Sequence, residues 1–288
     1  MKENKIIISI VVCCYNASKR ISDTVYGLVN QSAQKEKYEV IVVDNNSDDY
    51  GDLLEVIKKI DLGECNFKII REMNLGLSYA RNRGVKESKG EYVYFIDDDA
   101  VPCAQLVDAY IKAITDDDPD VIGGNIVPFF EVKPTPLLDS SIWGQWSLKY
   151  FGETDRWLTD DEYFLGTNIG TRQSILLTHK FDPALGRKGS LLIGGEEWYL
   201  GKKEFKRRFV AAAFVFHKIP EKRMKMDYFV NRFKESHLQS NQDYKSTRLL
   251  RTFLSIVIQN TKKCLLLIRY KISMEYKIYQ SLKAKTFK

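Results

Sequence analysis

The stretch "EYVYFIDDDAVP" (91–102) runs five apolar or aromatic residues, Tyr92 to Ile96, straight into three aspartates. Like charges side by side repel, so Asp97, Asp98 and Asp99 call for a cation. Hard carboxylate oxygens suit Mg2+ or Mn2+, ions that commonly bridge to phosphate oxygens. An acidic loop or a helix N-cap is the bland alternative; it accounts for one aspartate or two, since a helical pattern follows. Two other places carry chemistry. Glu196 and Glu197 stand in tandem, where one could complement the dipole of a helix starting at Trp198 while the other faces a site. His217, one of only three histidines, ends the apolar run "VAAAFVF".

The elements that must position these groups are legible as alternating patterns. Ile6–Val12 and Glu39–Val43 are apolar on both faces, as buried parallel strands are. Phe67–Ile70 and Tyr92–Ile96 continue the series. Helical patterns intervene: one capped by Ser18 or Ser22 and running to about Asn30, then Leu53–Ile60, Ser78–Ser88 with Gly90 as its stop, and Cys103–Ile114. The alternation predicts an α/β fold with a mostly parallel central sheet, whose ligands bind beyond the carboxyl ends of the strands. Tyr15 and Asn16, Asp44, and Asp97–Asp99 all fall at such ends. No GxGxxG follows the first strand, so a dinucleotide domain is not expected.

After Val121–Val127 the alternation fades into an aromatic, glycine-punctuated stretch, 143–168, expected to cover the rim. Aromatic rings stack on the C–H faces of cyclic ligands, so Trp143 and Trp146 are candidates for a binding wall; the alternative is a lid with its own small core. Gly166 permits close backbone approach, and Thr167 and Asn168 are small polar groups able to orient a sugar. The loop "GRKG" (186–189) reads as a flexible basic segment that closes over phosphates, and Arg207–Val215 as a late strand leading to His217.

The chain has 288 residues, 44% apolar and 28% charged, an ordinary folded composition. Its five cysteines form no CxxC pair, which points to reduced, mostly buried thiols in the cytoplasm. The net charge of +6 is unevenly spread: from Lys218 onward 17 Lys+Arg face 5 Asp+Glu, and before it 27 face 33. Residues 1–220 are therefore read as one domain, catalytic by the resemblance given below, and 221–288 as a basic, amphipathic helical tail. Arg251, Lys262 and Lys263 interrupt the apolar stretch Leu249–Ile268, making it a poor membrane crosser. It suits an interfacial helix on anionic lipid, and so peripheral attachment at the inner face of the plasma membrane. The alternative is a helix packed on the enzyme body or in a homodimer. No nucleic-acid reader motif is present, and no such partner is expected.

The segments "VVCCYN", "VIVVDNNSDD", "NLGLSYARNRG", "YFIDDDAVP", "FLGTN", "FDPALGRKG", "GGEEWYL" and "FVFHK" occur in this order over roughly residues 5–235. Together they resemble the family-2 glycosyltransferases of the GT-A fold, metal-dependent inverting enzymes. The resemblance implies a nucleotide-sugar donor, most often UDP-linked, and a saccharide or lipid-linked acceptor. It matches Asp97–Asp99 to the DxD motif, with Asp99 on the metal and Asp97 on ribose or a metal water, and His217 to a histidine completing the metal site. Tyr15 matches the aromatic against the base, Asp44 the carboxylate that hydrogen-bonds it, and Arg81 a cation near the diphosphate. Cys13, Asn16, Asn74 and Asp98 complete the expected donor pocket. Glu196-Glu197 matches the family's "ED" pair, whose second acid is the usual base; here that acid is glutamate, so Glu196 stays open as the alternative. Two rival readings are a sugar-phosphate nucleotidyltransferase and a non-catalytic subunit that binds nucleotide sugar or membrane. The first would want a glycine-rich nucleotide loop that "CCYNASKR" does not supply.

Overall fold

The computed structural model of the protein describes residues 5–133, 144, 146–189, 195–225 and 228. Along the chain the regular elements are β1 (Ile8–Cys14), α1 (Ser22–Val29), β2 (Tyr38–Asp44), α2 (Tyr50–Lys58), β3 (Asn66–Arg71), α3 (Leu77–Glu87), β4 (Tyr92–Asp97), β5 (Ala100–Pro102) and α4 (Leu106–Asp117). Then follow β6 (Val121–Gly123), β7 (Ile126–Phe130), β8 (Arg156–Trp157), β9 (Asn168–Arg172), α5 (Gln173–Thr178), β10 (Arg207–Phe209) and β11 (Val215–Ile219).

Eight strands form one sheet in the order β3-β2-β1-β4-β9-β6-β10-β8. The β3-β2-β1-β4 portion is parallel throughout, and β9 enters antiparallel between β4 and β6. β2 is buried at every residue and β1 at all but Cys13, which explains why both read as apolar on both faces. The register sets Cys13 beside Asp97 and Cys14 beside Asp44, so three parallel strands end together with their polar termini on one rim. Val11, Ile41, Val43, Val93 and Phe95 pack with Ala80 and Val85 of α3 and with Phe181 in the core beneath that rim. A second, three-stranded sheet has the order β5-β11-β7.

Three expectations change. α1 starts at Ser22 with Ile21 as its N-cap residue and no side-chain cap, while the Ser18 amide donates to Asp49 Oδ2 at 2.9 Å. α3 already ends at Glu87, and Gly90 is needed elsewhere: a Cβ there would lie 2.6 Å from the Ser9 nitrogen of β1. The single late strand Arg207–Val215 is instead two strands in different sheets, β10 beside β6 and β11 beside β5. The segment between them leaves one sheet through Val210 N–H to Gly123 O (2.9 Å) and joins the other through Val215 N–H to Asn125 O (3.0 Å).

The chain divides into two compact units, Met1–Phe129 with Ser147–Lys218, and Phe130–Trp146 with Ile219–Lys288. In the second unit Trp146 is buried, meets Phe130 edge-to-face, and donates its indole N–H to the Arg223 carbonyl at 2.9 Å. Trp143 and the tail from residue 229 onward, including the stretch assigned to lipid, lie outside the described residues. No helix among the described residues is long and apolar enough to cross a membrane.

Candidate active site

The acidic corner gains its third member from a sheet the sequence does not announce. Pairing of β5 with β11 sets His217 opposite Ala100, and Lys218 N–H donates to the Asp99 carbonyl at 2.9 Å. His217 Nε2 thereby sits 3.0 Å from Asp99 Oδ1 across 118 residues of chain. One ligand atom each from Asp97, Asp99 and His217 falls within 4.8 Å of the others. Metal–ligand distances near 2.1 Å make that spacing fit one divalent ion, and the set of two carboxylates and an imidazole fits a transition ion. Thr167, buried, donates its hydroxyl to Asp97 Oδ2 at 2.7 Å, so it steadies the carboxylate where a sugar contact was expected.

The middle aspartate is not a member of this triangle. Asp98 receives Arg20 Nε on Oδ1 (2.7 Å) and Nη2 on Oδ2 (2.8 Å), a bidentate ion pair. Burial pushes its carboxyl up to about 6 while Arg20 pulls the other way. The structure pairs Asp98 with Arg20, a residue that sequence reasoning missed because its mate lies 78 positions away.

At the far end of the rim Asp44 is fully buried. Its Oδ2 accepts from Ser47 N–H and Arg71 Nε, each at 3.2 Å, whereas Oδ1 has no hydrogen-bond partner among the described residues. Arg71, also absent from the expected set, lies over the Tyr50 ring at 4.5 Å. Tyr15 is half-buried beside this site, and Asn16 takes a left-handed φ of 49° that its side chain stabilises by accepting Asp48 N–H at 2.9 Å. Asn74 is exposed, and its side-chain amide turns back onto Glu72 Oε1 at 2.8 Å. Cys13 is half-buried by residue, and desolvation pushes its thiol up to about 12, so it offers no thiolate.

Arg81 was expected at a diphosphate; the structure instead buries it in an ion pair. Nη1 lies 2.5 Å from Glu196 Oε1 and 3.8 Å from Glu197 Oε2. Its guanidinium stands 5.4 Å from the ring centres of both Phe95 and Phe181. A Cβ on Gly166 would come within 2.3 Å of Nη2, so this glycine makes room for the guanidinium. Burial pushes the Glu196 carboxyl up to about 7, against the pull of Arg81. Glu197 is more open, takes Gly166 N–H on Oε1 at 3.3 Å, and forms the N-cap of the short turn Trp198–Gly201 without a side-chain capping bond. The "GRKG" loop is tied to α3 by Leu77 N–H to Arg187 O (2.8 Å), and Leu185, just before it, accepts Ser78 Oγ at 2.7 Å.

Asn168 is the clearest correction. Its Oδ1 accepts from the hydroxyls of Tyr94 (2.9 Å) and Tyr110 (2.5 Å), and its Nδ2 donates to the carbonyls of Asn125 (3.0 Å) and Ala213 (3.1 Å). Two acceptor sites and two donors are all that an amide has, leaving nothing for an acceptor sugar. Trp146, buried in the second unit, likewise presents no ring face to a ligand.

The sheet order and this rim define a GT-A fold. The model of the family described as "Glycosyl transferase family 2" matches residues 9–179. The chain belongs to that family. Among curated relatives, the poly(ribitol-phosphate) β-N-acetylglucosaminyltransferase TarP of Staphylococcus aureus is 32% identical over 148 residues, covering 47% of this chain and 45% of TarP. The glucosyl-dolichyl phosphate glucuronosyltransferase of Haloferax volcanii is 27% identical over 246 residues, covering 78% and 73%. The match with TarP thus spans under half of that relative's length. Among solved structures, S. aureus TarS 1-349 in complex with UDP-GlcNAc superposes with a TM-score of 0.56 at 20% identity, covering 84% of this chain and 69% of that one.

Proposed function

We propose that this chain transfers a sugar from a nucleoside-diphosphate donor, a UDP-sugar, to a saccharide or lipid-linked acceptor in cell-surface glycan synthesis, inverting the anomeric carbon. The observation that carries this reading is the triangle of Asp97, Asp99 and His217 on the rim where β1, β2 and β4 end. These residues would hold one divalent cation, and the imidazole favours Mn2+ over Mg2+. When bound, such an ion stabilises negative charge on the departing diphosphate. We assign Asp44, whose buried Oδ1 has no hydrogen-bond partner among the described residues, to accept an N–H from the base, and Tyr15 to lie against that base. Glu197 is the base: it is the less buried of the pair and Arg81 engages its neighbour more closely. The acceptor oxygen bonds to the anomeric carbon, the proton passes to the Glu197 carboxylate, and the carbon–phosphate-oxygen bond breaks with its electrons leaving on the nucleoside diphosphate.

The names of the relatives support the acceptor class. TarP is named for a poly(ribitol-phosphate) acceptor and the H. volcanii enzyme for a dolichyl phosphate one. We place the protein in the cytoplasm, at the inner face of the plasma membrane when its acceptor is lipid-linked, and its 17 cations from Lys218 onward favour that surface. Calorimetric titration of UDP with and without Mn2+ tests the reading. The wild type should bind UDP more tightly with Mn2+, Asp99→Ala should lose that gain, and Glu197→Gln should keep it while transfer falls by about 10²-fold or more. UDP affinity indifferent to the metal in the wild type would overturn it.

A further inference from the structure

We infer that Arg20 is a positioning residue that locks the acidic corner to the nucleotide end of the rim, so that donor and metal meet one pre-formed site. The inference rests on the donor and metal reading above. Arg20 stands in the turn before α1, and each hydrogen bond of its fork lands on a loop of the rim. Two hold Asp98, at 2.7 and 2.8 Å. Two more hold main-chain carbonyls of the β1–α1 loop: Nη1 to Asn16 O at 2.6 Å and Nη2 to Tyr15 O at 2.9 Å. Beyond them the chain of contacts continues. Asn16 N–H donates to Ser47 Oγ (2.9 Å), Asp48 N–H to Asn16 Oδ1 (2.9 Å), and Ser47 N–H to Asp44 Oδ2 (3.2 Å). Thr24 Oγ1 of α1 adds a bond to the Asp98 carbonyl at 3.1 Å.

One guanidinium thus stands between the two carboxylates that flank Asp98, which would hold the ion, and Asp44, which would hold the base. A surface ion pair of ordinary kind would add little. This one differs in geometry: Asp98 is buried, both its oxygens are engaged, and the same planar fork closes over two carbonyls. Lysine keeps the charge but cannot make this set, because it presents one point of donors where arginine presents a fork.

Three variants test it: Arg20→Lys, Asp98→Asn and the double variant. The readouts are UDP affinity with and without Mn2+, donor KM and kcat, and thermal midpoint. Each single change should weaken Mn2+-dependent UDP binding and raise donor KM about tenfold, the effect of losing roughly one charge-assisted contact set. kcat should stay within about twofold, and the double variant should be no worse than the poorer single one, since both break one fork. Wild-type donor affinity in the variants, while the wild type still shows its Mn2+ gain, would overturn this inference alone. Loss of kcat in proportion to a fallen thermal midpoint, with donor KM unmoved, would reduce the pair to scaffolding. A wild type without any Mn2+ gain would overturn both this inference and the function on which it rests. If Arg20→Lys fails to fold, Asp98→Asn, nearly isosteric, decides.

Discussion

The buried pair between Arg81 and Glu196 permits a quantitative test. Both side chains are almost out of water, at 5% and 4% exposure, with 2.5 Å between Nη1 and Oε1. Arg81→Met removes the cation and most of the contacts with Phe95 and Phe181 while retaining an apolar stem. Breaking a buried pair by deleting one partner costs about 3–5 kcal/mol, because the other charge is left uncompensated. Domains have roughly 5–15 kcal/mol in total, so the variant should be folded but strongly weakened. Adding Glu196→Gln removes the stranded charge, and the double variant should regain about 2 kcal/mol over Arg81→Met alone. The deficit of Arg81→Met should also shrink in acid. Burial raises the Glu196 carboxyl, to about 7 even with Arg81 present, so the folded state binds its proton where the unfolded chain has lost it. Such a group favours folding most below its unfolded pKa, and that contribution is lost as pH rises through the folded value. Without Arg81 the folded value goes higher still. Urea unfolding at about pH 5.5 and 8 measures both effects, provided m is unchanged. An Arg81→Met penalty under about 1 kcal/mol at pH 8, or a Glu196→Gln cost that simply adds to it, would refute the reasoning.

Gly166→Ala should act on the same pair without touching either charge: the new methyl would lie 2.3 Å from Nη2, and the clamp of Glu196 with two aromatic rings denies the guanidinium an easy escape. Overpacking of this kind costs about 1–3 kcal/mol, and transfer should slow because Glu197 takes its N–H bond from this residue; unaltered stability and rate would contradict the placement. Asn168→Ala should lose about 2–4 kcal/mol in chemical denaturation, since two buried tyrosine hydroxyls lose their acceptor, while acceptor KM in the surviving enzyme stays put. An acceptor KM that rose instead would return Asn168 to the sugar site.

The nearest-neighbour pattern of the chain was enough to predict the α/β class and the rim. An apolar run ending in aspartates is a local statement, and β4 delivers Asp97 at its last residue. Asp44 closes β2 in the same way, and parallel pairing with β1 brings both ends level. Which charge meets which was not local. Asp98 and Arg20 lie 78 residues apart and Arg81 and Glu196 115 apart, so a diphosphate cation and a structural counter-ion read alike in one dimension. "GTN" suggested sugar contacts from composition alone; packing set each residue another task, Gly166 under a guanidinium, Thr167 against Asp97, Asn168 between two tyrosines. The physical reason is that secondary structure follows from side-chain period and backbone preference, which the sequence carries directly. A polar group's role depends on which partners remain when it leaves water, and only the assembled strands and loops decide that.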